Sequence, residues 1–350
     1  MKLQRWNLVI ILIGVVRASP LEYVIISPDE STEPNKHNAF QIRTKKYQIK
    51  GHNAFLAIIT GALKSSDDGT NERIRARSSL NNHFRVLVKD RNCALQKTST
   101  FARHDDCIYA VNGGPFKSYI NGECVGLTIS NGTIINGDDD QETNRESIVH
   151  PCSASKTRDL GVGKEEEDEY LSNMNEEYNL PDSDVAFGVT KDNKWIIGNL
   201  QNYNHSNIQD LVTGLNGWLV YNSTVMVATN AKPKSTSQYE FDHNVEREKD
   251  ASAPRTAIGV DAKGNKLVLL QVDGCEHCMN PFSKTNGLTM YEMANSIQEF
   301  ADYAINLDGG GSSTSFDHGK VLNRPTCLDY VNVWCERPVA SVVCILGPES

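Results

Sequence analysis

Asp308 closes the run Ala304-Ile305-Asn306-Leu307 and is followed by Gly309-Gly310-Gly311 and then Ser312-Ser313-Thr314. One carboxylate, three glycines and three hydroxyls in seven residues have the chemistry of an anion cradle. Glycine admits positive φ and lets a ligand approach the backbone closely. Successive N–H groups in such a turn form a concave nest for an oxyanion or a phosphate, with Gly309, Gly310, Gly311 and Ser312 as donors and Asn306 on the strand leading in. A tight turn in which Asp308 only caps local backbone uses the same residues. A second stretch of this character runs from Cys107-Ile108-Tyr109-Ala110-Val111 into Asn112-Gly113-Gly114-Pro115-Phe116. Asn112 either presents an amide to a ligand or makes a hairpin turn, for which Asn-Gly is a strong signal by itself. Arg255 stands at the entrance of a third stretch and Asp273 at its exit, and Glu123 follows the second. A planar guanidinium beside a nest suits bidentate phosphate recognition; paired with a surface carboxylate it contributes little.

These groups need rigid elements to hold them. Alternation of apolar and polar residues predicts strands over 40–49, 53–60, 83–88 and 125–129, and a buried strand over 107–112. Asp184 to Val189 and Trp195 to Gly198, joined through Lys191-Asp192-Asn193, read as a hairpin. Arg255 to Val260 and Lys266 to Asp273, joined through Asp261 to Asn265, read as another. Val225 to Ala228 and Val339 to Cys344 are further strands. Thr289 to Asp302 is the best helix: Thr289 and Glu292 make a capping box, and Met290, Met293, Ala294, Ile297, Phe300 and Ala301 share one face. Those apolar residues are core. The expected class is α+β, a strand-rich mixed sheet with few helices in one disulfide-stabilised catalytic domain over 41–346. Residues 1–18 precede it as a signal peptide and 19–40 as an extended arm or pro-segment. An acidic surface insertion lies near 138–183, carrying Asp138-Asp139-Asp140 and Glu165 to Glu169.

Composition bounds the function. The 350 residues carry 39% hydrophobic side chains and a formal net charge of −9. That is enough for a core, and the charge argues against a nucleic-acid or anionic-membrane partner. Lys2 and Arg5, the run Leu8 to Val16, and Ala18 have the pattern of a cleaved secretory signal. No later run approaches the length of a membrane span, so the mature chain is expected in the secretory lumen (Golgi or lysosome) or secreted. Nine cysteines suit that oxidising route. Cys275 and Cys278 are expected to form a local disulfide rather than a redox or zinc motif, and Cys152 is the candidate odd thiol. Asn131, Asn204 and Asn222 head glycosylation sequons.

Taken together, Asn112 to Phe116, Gly122-Glu123-Cys124, Arg255 to Gly259 and Asn306 to Ser312 resemble the phosphodiester glycosidase family, over roughly residues 85–345. Cys93, Cys107, Cys124, Cys327, Cys335 and Cys344 also fall where animal members have cysteines. Pro115 departs from the second aromatic usual there, which would alter a site wall. Relative to vertebrate members, the chain is read as lacking an EGF-like repeat, a membrane span and a cytoplasmic tail. The resemblance implies a hydrolase that removes α-linked N-acetylglucosamine from a phosphodiester to mannose. Its partners would be phosphorylated high-mannose glycans of lysosomal enzymes, on which it exposes mannose 6-phosphate. A phosphate leaves readily, so a strong general acid matters less than a carboxylate that attacks C1, activates water or stabilises an oxocarbenium-like transition state. Asp308 is the first choice for that carboxylate, with Asp273 or Glu123 as a second. Arg255 and the Gly309–Gly311 backbone would hold the phosphate. Asn112, with Gly113 and Gly114, would bind a sugar hydroxyl or phosphate oxygen. The scheme requires no metal and no cofactor. Two other readings stay open on these residues: a secreted glycan-binding module with catalysis lost, and a phosphodiesterase cutting P–O.

Overall fold

The hairpin expected over 255–272 forms as Arg255–Val260 and Lys266–Val272, paired antiparallel from Arg255 opposite Val272 to Val260 opposite Leu267. The computed structural model describes residues 23–28, 40–60, 80–118, 122–136, 185–200, 202–227, 252–275, 287–327 and 334–347. The signal segment, Cys152, Cys278 and the whole acidic insertion over 138–183 lie outside them. Within them the hairpin is the middle of a seven-stranded sheet ordered Thr224–Val225, Trp218–Tyr221, Tyr303–Asn306, Arg255–Val260, Lys266–Val272, His52–Thr60 and Gln41–Ile49.

Period-two alternation sorts this sheet's side chains onto two faces. Ile258, Val260, Leu267, Leu269 and Ile305 face a core shared with two further sheets. Ala257, Val268, Leu270 and Val272 face the helix Met290–Gln298 through Met290, Met293, Ala294 and Ile297. Because both faces are covered, these strands read as continuous apolar runs. The helix has the expected capping box: Thr289 Oγ1 accepts from Glu292 N at 3.2 Å, and Glu292 Oε2 accepts from Thr289 N at 2.9 Å. It ends at Gln298, short of the expected Asp302.

The second sheet has five strands, ordered Lys320–Val321, Ser315–Asp317, Cys107–Asn112, Ser341–Leu346 and Phe84–Val88. The third has six: Tyr23–Ile26, Trp195–Gly198, Ala186–Thr190, Ile208–Thr213, Thr128–Ser130 and Thr133–Asn136. Phe84 of the second sheet meets Phe187 and Trp195 of the third at centroid distances of 5.9 and 5.6 Å. Aromatic pairs at this separation contribute beyond their buried area.

The strand-rich α+β expectation with few helices holds. The mixed pairing does not: among the described residues every pair of named strands is antiparallel, in three main sheets rather than one. The strand expected at 125–129 forms later, at Thr128–Ser130. Tyr23–Ile26, inside the expected arm, is an edge strand on Trp195–Gly198.

Disulfides join Cys93 to Cys124, Cys107 to Cys344, and Cys327 to Cys335. Cys275 is also disulfide-bonded, while its expected partner Cys278 lies outside the described residues. Asn131, Asn204 and Asn222 all stand exposed on the surface.

Candidate functional site

The site forms where strand ends of two sheets meet. In the seven-stranded sheet, Val272 is opposite Arg255, and Ala257 is opposite Asn306. This puts Asp273, Arg255 and the segment after Asn306 at one edge. Leu307 N donates to Thr256 O at 2.8 Å and continues that pairing into the turn. The end of Cys107–Asn112 arrives from the five-stranded sheet, and Asp308 N donates to Gly113 O at 3.0 Å.

Asn112 fastens this junction. It is wholly buried; its Oδ1 accepts from the Thr256 hydroxyl at 2.8 Å and from Thr314 N at 3.2 Å. Its Nδ2 donates to Asp308 O at 2.8 Å. With both ends of the amide bonded inside the protein, Asn112 braces Asp308 rather than meeting a ligand. Gly113 and Gly114 are also packing residues. Gly113 N donates to Ser341 O at 2.8 Å and Gly114 N to Ser341 Oγ at 3.2 Å. A Cβ on Gly113 would collide with Ser341, and one on Gly114 with the Thr213 carbonyl. Asn306 is buried as well, its Nδ2 donating to Leu307 O at 2.6 Å.

Asp308 is half-buried, with Oδ1 accepting from Gly309 N at 2.9 Å. The first two glycines that follow bond within the protein: Gly309 N to Asp308 Oδ1 and Gly310 N to the neighbouring segment. Gly310 N donates to Pro254 O at 2.9 Å, Ser312 N to Gly309 O at 3.1 Å and Ser313 N to Gly310 O at 3.2 Å. The turn Gly310–Ser312 is a short 3₁₀ segment, and Gly310 has φ +54°, the left-handed region that favours glycine. The N–H groups of Gly309, Gly310, Ser312 and Ser313 are thus spent within the protein, and side chains line the turn.

Those side chains are two arginines. A Cβ on Gly309 would lie 2.9 Å from Pro254 O and 3.8 Å from Arg255 Nη1. A Cβ on Gly311 would overlap the Thr326 carbonyl and sit 2.5 Å from Arg337 Nη2. Arg255 is 4% exposed, its Nε donating to Leu288 O at 3.1 Å. Arg337 is 8% exposed, its Nε donating to Cys327 O at 3.1 Å. Two buried guanidiniums thus flank the turn that carries Asp308. Arg337 had no signal in the sequence beyond standing in Cys335-Glu336-Arg337-Pro338. It is delivered by the strap closed by the Cys327–Cys335 disulfide, whose backbone bonds run from Cys327 N to Cys335 O and from Cys335 N to Pro325 O. Glu336 ties the strap to the helix Thr98–His104, accepting from Ser99 N at 2.6 Å and Ser99 Oγ at 2.7 Å.

Asp273 joins the site from below. Its Oδ1 accepts from Asn323 Nδ2 and Arg324 N, each at 3.2 Å, and Asn323 Nδ2 also donates to Ser313 O at 2.9 Å. Asp273 Oδ2, Ser312 Oγ and Ser313 Oγ are buried without a hydrogen-bond partner among the described residues. His52, also missed in the sequence, is buried near Asp273. Burial pushes its imidazole pKa down, against the opposing pull of the Asp273 and Glu292 charges. Glu123 does not converge with these groups: its carboxylate faces solvent and pairs with Lys117 Nζ at 2.7 Å. It belongs to the hairpin Phe116–Ser118 and Gly122–Cys124, with φ +67°. Among the described residues no three His, Cys, Asp or Glu side chains cluster as a metal site would need.

Known proteins resemble this chain in family and in fold. A family model described as phosphodiester glycosidase matches residues 162–346, and the chain belongs to that family. It is 29% identical over 265 residues to human N-acetylglucosamine-1-phosphodiester alpha-N-acetylglucosaminidase, covering 73% of this chain and 41% of that protein. The bovine protein of the same name is 27% identical over 266 residues, covering 73% and 40%. The chain therefore spans about two fifths of the length of these curated relatives. A solved structure, the zebrafish N-acetylglucosamine-1-phosphodiester alpha-N-acetylglucosaminidase catalytic domain auto-inhibited by pro-peptide, superposes with a TM-score of 0.59 at 18% identity. That match covers 94% of this chain and 89% of the zebrafish chain, a likeness of fold.

Proposed function

We propose that this chain is a hydrolase that cleaves α-linked N-acetylglucosamine from a GlcNAc-phospho-mannose diester on N-glycans of lysosomal enzymes, exposing mannose 6-phosphate. The observation that carries the reading is Asp308 beside the Gly309–Gly311 turn with Arg255 and Arg337 at its two ends. A phosphodiester needs positive charge where its leaving phosphate gains negative charge, and two preorganised guanidiniums supply it without reorganisation. A partly exposed carboxylate at the same turn suits attack on C1, activation of water, or stabilisation of the oxocarbenium-like transition state. Asp273 is the second carboxylate, held by Asn323 and the Arg324 amide. The named relatives and the family support the substrate class. Three disulfides between described cysteines suit passage through an oxidising compartment, and we place the reaction in the Golgi or lysosomal lumen or outside the cell. No helix among the described residues is long and apolar enough to cross a membrane.

The test uses purified protein and N-acetylglucosamine-α-phospho-methylmannoside in ¹⁸O-water, with both products read by mass spectrometry. Label on the released sugar establishes C1–O cleavage. Label on the phosphate makes the protein a phosphodiesterase, and no release across pH 4 to 8 moves the weight to glycan binding without catalysis.

A further inference from the structure

We infer that Trp334 and Arg324 form the subsite for the mannose on the far side of the phosphate. The inference rests on the proposed reaction and names which residues of the strap meet its leaving group. Trp334 is 58% exposed, the most exposed of the large hydrophobic side chains among the described residues. The Arg324 guanidinium carbon lies over the Trp334 ring, 3.1 Å from its centroid. A guanidinium held there orients the indole and leaves its solvent-exposed surface to a second flat partner. The apolar C–H face of a pyranose is such a partner, while the guanidinium edge offers donors to a sugar hydroxyl or phosphate oxygen.

Position decides that this pair belongs to the reaction site. Arg324 N donates to Asp273 Oδ1 at 3.2 Å. Two residues on, the Thr326 carbonyl packs against Gly311. Trp334 directly precedes Cys335, which bridges to Thr326 and closes the disulfide to Cys327. Arg337, three residues after Trp334, turns inward onto the same glycine. One short strap thus presents a buried guanidinium to the turn and an exposed guanidinium–indole pair at its rim. A diester gripped at the turn by Arg255 and Arg337 has its two sugars on opposite sides of the phosphorus. The sugar bearing C1 must reach Asp308, so the other is left to the strap.

The experiment compares two substrates, N-acetylglucosamine-α-phospho-methylmannoside and N-acetylglucosamine-α-phosphate methyl ester, on wild type, Trp334→Ala and Trp334→Phe. In wild type the mannoside is preferred in kcat/KM. Trp334→Ala is expected to cut that preference about tenfold, carried by KM, and Trp334→Phe to restore most of it. An equal loss on both substrates, or an unchanged preference, overturns the subsite while leaving the hydrolase reading intact. Binding is read independently by titrating methyl α-mannoside 6-phosphate into Asp308→Asn protein. Weaker binding with Trp334→Ala supports the subsite whether or not the protein turns over. Binding indifferent to Trp334, or no binding, overturns it.

Discussion

The Pro254 carbonyl at Gly309, and the Thr326 carbonyl with Arg337 at Gly311, explain why the turn after Asp308 is glycine at its first and third positions. A side chain on Gly311 would occupy the space of the Arg337 guanidinium and the Thr326 carbonyl. Gly311→Ala is therefore expected to displace Arg337 or the strap, lowering stability by about 1–3 kcal/mol as overpacking does. It should cost activity beyond that; a variant with wild-type melting temperature and kcat/KM would remove Gly311 from the site. Asp308→Asn keeps the shape and the Gly309 N–H contact while removing the charge. It is expected to lower kcat about 10³-fold with an unchanged circular dichroism spectrum, and near-normal turnover would take Asp308 out of the mechanism. Asn112 belongs to the same scale with the opposite role. Because its amide bonds Thr256, Thr314 and Asp308, its replacement acts through Asp308's position.

At the scale of elements, buried Asp210 on Ile208–Thr213 ties two sheets together. Its Oδ1 accepts from Val86 N and Asn131 N, each at 3.1 Å, and burial raises its pKa to about 6. The unfolded chain releases this proton near pH 4, whereas the folded chain keeps it until about pH 6. The folded state binds more protons in between, so stability falls as pH rises from about 4 to about 6, by at most about 3 kcal/mol. Urea unfolding across that range should show the decline, and Asp210→Asn should flatten it; an unchanged slope would show that another group titrates.

At the scale of the whole molecule, the Cys107–Cys344 disulfide joins the edge of one strand to its neighbour across 237 residues of sequence. Cross-links over long loops restrict the unfolded chain most, and removal of a native disulfide costs about 2–5 kcal/mol. Cys107→Ser with Cys344→Ser should lower the melting temperature clearly more than Cys327→Ser with Cys335→Ser, which closes a loop of sequence separation 8. The short disulfide acts instead on the strap, so its loss should appear first in kcat/KM through Arg337. Equal thermal effects of the two pairs would contradict this division.

What the sequence determined by itself is local. The helix with its capping box, the two hairpins, the buried strand ending at Asn112 and the glycine turn after Asp308 were legible because each is set by spacing within a dozen residues. The motifs also sufficed for the family. What only the tertiary structure decided is which side chains meet. Asn112 was read as a ligand group and is a brace, because Thr256 and Thr314 reach its amide from distant segments. Glu123 was read as a second carboxylate and points to solvent. The glycine N–H groups suggest an anion nest, but Gly310 N bonds Pro254 O and Gly309 N bonds Asp308 Oδ1. Arg337 and His52 went unseen because neither stands in a periodic or motif position; a disulfide strap and a strand end bring them in. Side-chain direction at a junction depends on how two sheets pack, and no local pattern of residue types carries that information.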